Sequence, residues 1–125
     1  MAEKLVSTDT GLYKYIIPFI PMSINNFIGR TNIWEYQEEK KRWKEFCWAY
    51  CRPRPASPIE KSKVIITFYF KDKRRHDADN YQKMLLDGLV YAGIIEDDDF
   101  EHISVTCCGG YDKQNPRVEI EVEEI

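Results

Sequence analysis

The stretch Lys63–Ile95, KVIITFYFKDKRRHDADNYQKMLLDGLVYAGII, decides the fold. It opens on Lys63–Phe70, a β-branched and aromatic run. Val64, Ile66, Phe68 and Phe70 fall on one face, Ile65, Thr67 and Tyr69 on the other. Both faces are largely apolar, which predicts a central strand. Past the basic residues Lys71, Lys73, Arg74 and Arg75 the apolar period changes from two to 3.6. Tyr81, Leu85, Leu89 and Ala92 then line one face of a helix running from Asp79 or Asn80 to Ala92, joined by Met84 and Gly88. Asp79 and Gln82 have capping-box spacing, and Gly93 suits the position just past the helix end. A glycine inside a helix costs about 1 kcal/mol against alanine. Gly88 therefore predicts a close neighbour.

Upstream, Tyr13–Phe19 reads as a strand ended or held at an edge by Pro18. Pro21–Arg30 is rich in turn formers. Asn32 and Glu35, again at capping-box spacing, announce a helix. Its first half, Glu35–Arg42, is polar nearly all round; its second half carries the apolar stripe Trp43, Phe46, Cys47, Tyr50 and Cys51. Three prolines in Arg52–Pro58 end it. Downstream come Ile94-Ile95, the acidic run Glu96–Asp99, an alternating strand His102–Cys107 and a turn Gly109–Pro116. A half-exposed strand closes the chain, with Val118, Ile120 and Val122 alternating against Glu119, Glu121 and Glu123. The order β-α-β-α-β-β predicts an α+β fold: two main helices packed on a small mixed sheet. The 125 residues allow one domain, residues 1–125.

Net charge is −3, yet the sign is split. Residues 1–76 hold fifteen Lys/Arg against eight Asp/Glu, net +7; residues 77–125 hold three against thirteen, net −10. The switch falls between Arg75 and Asp77. The overall acidity argues against a protein that coats nucleic acid indiscriminately. No apolar run approaches the roughly 18 residues needed to cross a bilayer, and charges spread through the first twenty residues leave no signal-peptide core. A cytoplasmic protein without membrane contact is expected. Cys47, Cys51, Cys107 and Cys108 match no common zinc spacing and read as reduced thiols acting as small hydrophobes.

The chemistry lies in the acids that flank the second helix. Asp77 and Asp79 sit where a strand passes into that helix, and Asp97, Asp98 and Asp99 follow it. A helix of fourteen residues spans roughly 20 Å. The two groups meet only if the acidic run lies partway back along it. Two carboxylates about 4 Å apart repel by something like 4 kcal/mol at an effective dielectric of 20, so a cluster of three calls for protons or a cation. Mg²⁺ takes oxygen ligands, is held by few carboxylates plus substrate phosphate, and polarises a phosphoryl oxygen. Lys83, one turn after Asp79, is placed to offset charge on a phosphate under attack or to help deprotonate water. The adjacent basic run suits a phosphodiester backbone.

Each of these residues also has an ordinary structural explanation. Asp79 reads as a helix cap, Asp77 as a charge balancing Arg74 or Arg75, and Glu96–Asp99 as a solvated turn. An EF-hand is excluded, because His102 holds the place of its glycine. His76 and His102 lack matched partner spacing and read as exposed histidines. Phe19, Phe27 and Tyr81 suit base stacking but more commonly build cores.

Together the residues resemble a known family. His76-Asp77-Ala78-Asp79-Asn80-Tyr81-Gln82-Lys83, then Leu86-Asp87-Gly88-Leu89, Ala92-Gly93-Ile94-Ile95 and Asp97-Asp98, are similar to the signature of RusA-type Holliday junction resolvases: R-D-x-D-N-x-x-K, a D-A/G-L step, A-G, an apolar pair and D-D. Pro21-Met22-Ser23-Ile24-Asn25-Asn26 resembles the family's P-x-S-x-N segment. His76 departs from the usual arginine, and Asp99 stands where a small residue is common. The resemblance implies a RusA-like, homodimeric, Mg²⁺-dependent endonuclease (Mn²⁺ as substitute) of bacterial or phage origin. Such an enzyme nicks four-way DNA junctions symmetrically in recombination and repair. It puts the catalytic and metal-holding acids on Asp77, Asp79 and Asp98 and the catalytic lysine on Lys83. Lys71, Lys73, Arg74, Arg75 and Asn80 are then expected to meet DNA. The competing expectation is a non-catalytic module of the same fold that binds branched DNA or a protein. A phosphohydrolase acting on flaps or forks is a third.

Overall fold

The computed structural model describes residues 11–20, 33–73 and 78–125, with the backbone alone described for residues 33–36 and 78–80. The elements follow the order β1 (Leu12–Ile17), α1 (Ile33–Tyr50), β2 (Ser62–Phe70), α2 (Ala78–Tyr91), β3 (Ile103–Tyr111) and β4 (Arg117–Glu124). The strands form one mixed sheet in the order β1-β4-β2-β3. β4 is antiparallel to both β1 and β2, with Ile120 opposite Tyr15 on one side and Ile66 on the other. β2 and β3 run parallel, Ile66 opposite Cys107. A parallel pair needs a crossover, and α2 supplies it.

β2 is an inner strand, as its composition predicts. Its burial is one-sided, however: Val64, Ile66 and Phe68 are buried, whereas Ile65, Thr67 and Tyr69 are only half-buried. Both helices lie on the first face, and the second is covered by no element among the described residues. The core joins Tyr13, Tyr15 and Ile17 of β1 and Val118, Ile120 and Val122 of β4 to the β2 residues and to the inner faces of the helices. Trp43, Cys47, Leu85 and Leu89 are fully buried there. Tyr50, expected in the stripe, is 42% exposed and packs edge-on to Phe19.

Gly88 has the close neighbour that its position demands. A Cβ there would lie 2.4 Å from Cys47 Sγ and 3.2 Å from the Trp43 carbonyl oxygen. Gly93 takes φ +80° and ends α2, with the Gly93 and Ile94 amides donating to the Val90 and Leu89 carbonyls. β3 runs further than expected, through Gly109 and Gly110 to Tyr111. The glycines read locally as a turn, but pairing with β2 continues to Phe70↔Tyr111. A Cβ on Gly110 would come within 2.9 Å of the Tyr69 ring. All four cysteines are free thiols, with Cys47 and Cys51 buried.

Candidate active site

Backbone pairing fixes the course of the chain after α2. Ile95 bridges in parallel to Ile59, and the Glu96 amide donates to the Ile59 carbonyl at 3.0 Å. This ties one end of the acidic run to the segment that leads into β2. The other end is fixed by a turn around Asp99. Its Oδ1 accepts the amides of Glu101 and His102, each at 3.1 Å, and pairs with His102 Nδ1 at 2.5 Å. Between these anchors Asp98 faces α2.

Asp98 shares an open cleft of about 380 Å³ with Gln82, Lys83 and Leu86 of α2 and with Ile103 and Val105 of β3. The acidic run therefore lies partway back along α2. Phe100, fully exposed, stands on the rim. Burial against the helix pushes the Asp98 pKa up, and the nearby carboxylates of Asp87 and Asp97 push it the same way. Lys83 is mostly exposed, and its Nζ lies 3.8 Å from Asp87 Oδ2. Asp79 belongs to the first turn of α2, one turn before Lys83. Its side chain and that of Asn80 lie outside the described residues, as do Arg74, Arg75, His76 and Asp77 in their entirety. The structure thus brings Asp98 and Lys83 together and leaves the rest of the expected acid set untested.

Of the expected DNA contacts, Lys71 and Lys73 are exposed just past β2, and Lys73 Nζ sits 5.0 Å from the Tyr111 ring centroid. The stacking candidates divide as follows. Tyr81 is buried between Phe68 and Phe70, at 5.4 and 5.3 Å between ring centroids. Phe19 packs edge-on to Phe46 at 4.7 Å. Phe27 lies outside the described residues.

Two relationships escape a reading of motifs alone. Asp87 acts on both Lys83 and Asp98; its i,i+4 spacing from Lys83 was the available signal. His102 is half-buried and paired with Asp99, which raises the histidine pKa and lowers that of the acid. One ligand atom each from Asp97, Asp99 and His102 lies within 4.8 Å of the others. This trio is distinct from the expected Asp77, Asp79 and Asp98, and Asp99 Oδ1 is already engaged by the Glu101 and His102 amides and by His102 Nδ1.

The carboxylates beside the cleft are the hard oxygen donors a divalent cation takes: Asp98 has its pKa raised by burial and then by the neighbouring Asp87 and Asp97, and Asp87 pairs with Lys83. Against this geometry, a sequence model of the family described as Endodeoxyribonuclease RusA matches residues 18–123. The chain belongs to that family. Membership makes it an endodeoxyribonuclease and bears out the resemblance carried by Asp77–Lys83 and Asp97-Asp98. A curated relative, the crossover junction endodeoxyribonuclease rusA of Enterobacteria phage HK97, is 32% identical over 97 residues, covering 74% of this chain and 80% of its own. The mixed sheet with two helices is the α+β arrangement expected of a RusA-like chain. Among the described residues no helix is long and apolar enough to cross a membrane.

Proposed function

We propose that the chain is a divalent-metal-dependent endonuclease that resolves four-way DNA junctions by paired symmetric nicks, serving recombination and repair in a bacterial or phage-infected cytoplasm. The observation that carries this reading is Asp98 facing Lys83 across one cleft, on the helix whose first turn contains Asp79. Asp77, Asp79 and Asp98 hold Mg²⁺, for which Mn²⁺ substitutes. When bound, the ion polarises the phosphoryl oxygen and offsets the charge that gathers there. The chain supplies the remainder. Lys83 projects from α2 beside the scissile phosphate, where its ammonium stabilises the growing negative charge. Lys71, Lys73, Arg74, Arg75 and Asn80 bind the flanking backbone and fix the strand over the acids. A homodimer gives two such sites about a two-fold axis, matching the two related strands of a junction.

A binding module without catalysis is the weaker reading, because the family to which the chain belongs is one of endodeoxyribonucleases. The glutamates of β4 that suggest it lie on the half-open face, and Glu119 is bonded to Arg117 at 2.8 Å. The test mixes the protein, Mg²⁺ and a synthetic mobile four-way junction. Paired symmetric nicks are expected, with Asp77→Asn and Asp98→Asn binding the junction but not cutting it. Absence of nicking by the native chain across a range of salt, with either Mg²⁺ or Mn²⁺, overturns the reading. Cutting of flaps or forks in preference to junctions reassigns the substrate.

A further inference from the structure

A second charged surface lies on the side of α2 away from the cleft. Gln82, Lys83 and Leu86 face Asp98, whereas Gly88 meets Cys47 and Tyr91 meets Trp48, both on α1. On α1, Gln37, Lys40, Lys41, Lys44 and Glu45 line a groove of about 430 Å³ with Tyr91. The spacing 37, 40, 41, 44, 48 keeps these side chains and Trp48 on one flank of the helix. From Gln37 to Trp48 that flank extends roughly 16 Å.

Past the helix end the chain returns two arginines to Trp48. The Arg54 guanidinium lies 3.8 Å from a Trp48 ring centroid and that of Arg52 lies 5.9 Å away. Arg54 Nη1 also donates to the Trp48 carbonyl at 2.7 Å. Trp48 meets Tyr91 edge-on at 6.3 Å, and Lys44 Nζ stands 5.9 Å from the Tyr91 ring. Trp48 is 48% exposed and Tyr91 55%. These rings are therefore faced by cations and only partly by protein.

A cation held over a ring keeps its charge toward solvent and loses less freedom when it meets an anion. A ring already faced by a cation is poorly placed to stack on a base. The surface thus suits phosphate, which carries no sequence information. Lys40, Lys41, Lys44, Arg52 and Arg54 collect here against Glu45, in a chain whose net charge is −3. A cluster of cations along that length is complementary to a rod that is negative throughout, and duplex DNA, with one charge per about 1.7 Å, is such a rod.

We propose that this flank of α1, with Arg52 and Arg54, is a second phosphate-backbone contact that holds a duplex arm of the branched substrate while the strand to be cut occupies the Asp98 cleft. The proposal rests on the nuclease reading above. Its test is binding of a labelled four-way junction in EDTA, where no cutting occurs, followed as a function of salt for the full chain and for Lys41→Gln/Lys44→Gln/Arg52→Gln. The variant is expected to bind roughly tenfold or more weakly at low salt. Its log–log salt slope should be shallower by about 2 to 3 for each subunit whose flank holds an arm, at about 0.9 for each phosphate no longer neutralised. Its nicking rate at saturating protein with Mg²⁺ should equal that of the native chain. A Lys41→Arg/Lys44→Arg variant should retain native binding. Unchanged affinity and slope in the glutamine variant overturn the proposal, as does a change in its sedimentation, which would make the flank a contact between subunits. A native chain that neither binds nor nicks the junction sinks the nuclease reading itself, so the two failures are distinct.

Discussion

Lys83 Nζ lies 3.8 Å from Asp87 Oδ2, and Asp87 is also the carboxylate of α2 that pushes the Asp98 pKa up. One acid thus dilutes the charge of the lysine and makes Asp98 hold its proton more firmly. Asp87→Asn removes both effects. The expected result in metal-free protein is a lower Asp98 pKa, read by titrating the side-chain carboxyl carbon by NMR. The acid limb of the nicking profile should move to lower pH with it. An unmoved Asp98 titration would show that the two carboxylates are not coupled.

Asp98 sets a sign for stability against pH. Its folded pKa is raised above the ordinary 3.8, chiefly by burial, so the folded state binds the proton more tightly than the unfolded chain does. Asp98 therefore lowers stability as pH rises from near 3.8 through its raised folded value, and the loss persists at neutral pH. In EDTA at pH 7, Asp98→Asn should melt at or slightly above the native temperature. With Mg²⁺ at a hundred times its dissociation constant, the native chain gains about 2.7 kcal/mol, and the variant should gain much less. An equal Mg²⁺-induced rise in melting temperature in both proteins would remove Asp98 from the ion's ligands.

The legible parts of the fold are those where one local signal and the tertiary structure agree. Lys63–Phe70 shows period two and is an inner strand; Tyr81–Ala92 shows period 3.6 and ends at Gly93 as its φ requires. Gly88 could be read as a close approach because nothing local rewards a glycine there, and Cys47 proves to be the neighbour. Gly109-Gly110 misleads for the opposite reason. The pair resembles a turn until the Tyr69 ring, supplied by a parallel strand forty residues earlier, covers it. At the site, carboxylate spacing and the Lys83 position were readable from the motif. The side-by-side placement of Asp98 and Asp87 was not, because it depends on the Ile59–Ile95 bridge, which no local pattern announces.

The Asp99–His102 turn gives a pH window with two edges. The hydrogen bond that His102 donates to the Asp99 carboxylate raises the His102 pKa above the ordinary 6.5, so the histidine's contribution is complete below 6.5 and is lost as pH rises through the raised value. The same bond lowers Asp99 below 3.8, so the acid's contribution is complete above 3.8 and is lost as pH falls through the lowered value. The turn should be tightest between these two ordinary values. Histidine ring signals in metal-free protein should show His102 titrating above 6.5, and His102→Gln should abolish that titration. Titration at or below 6.5 would mean that the pair does not form in solution.

Gly88→Ala tests the contact that seats α2, and with it Lys83, against α1. The added methyl would lie 2.4 Å from Cys47 Sγ, 3.2 Å from Cys47 Cβ and 3.2 Å from the Trp43 carbonyl oxygen. Overpacking of this kind costs about 1–3 kcal/mol, while exchanging glycine for alanine in a helix returns about 1 kcal/mol. A net loss of up to roughly 2 kcal/mol is expected in urea unfolding. Cys47→Ala alone leaves a small cavity and also destabilises. Because the sulfur is the atom in the way, Gly88→Ala/Cys47→Ala should lose less than the two single variants added together, by about 1 kcal/mol or more. Strict additivity would mean that the Trp43 backbone, not the Cys47 sulfur, sets the approach of the helices. The interface would then be unable to yield through a side chain, and Gly88→Ala would shift the whole of α2.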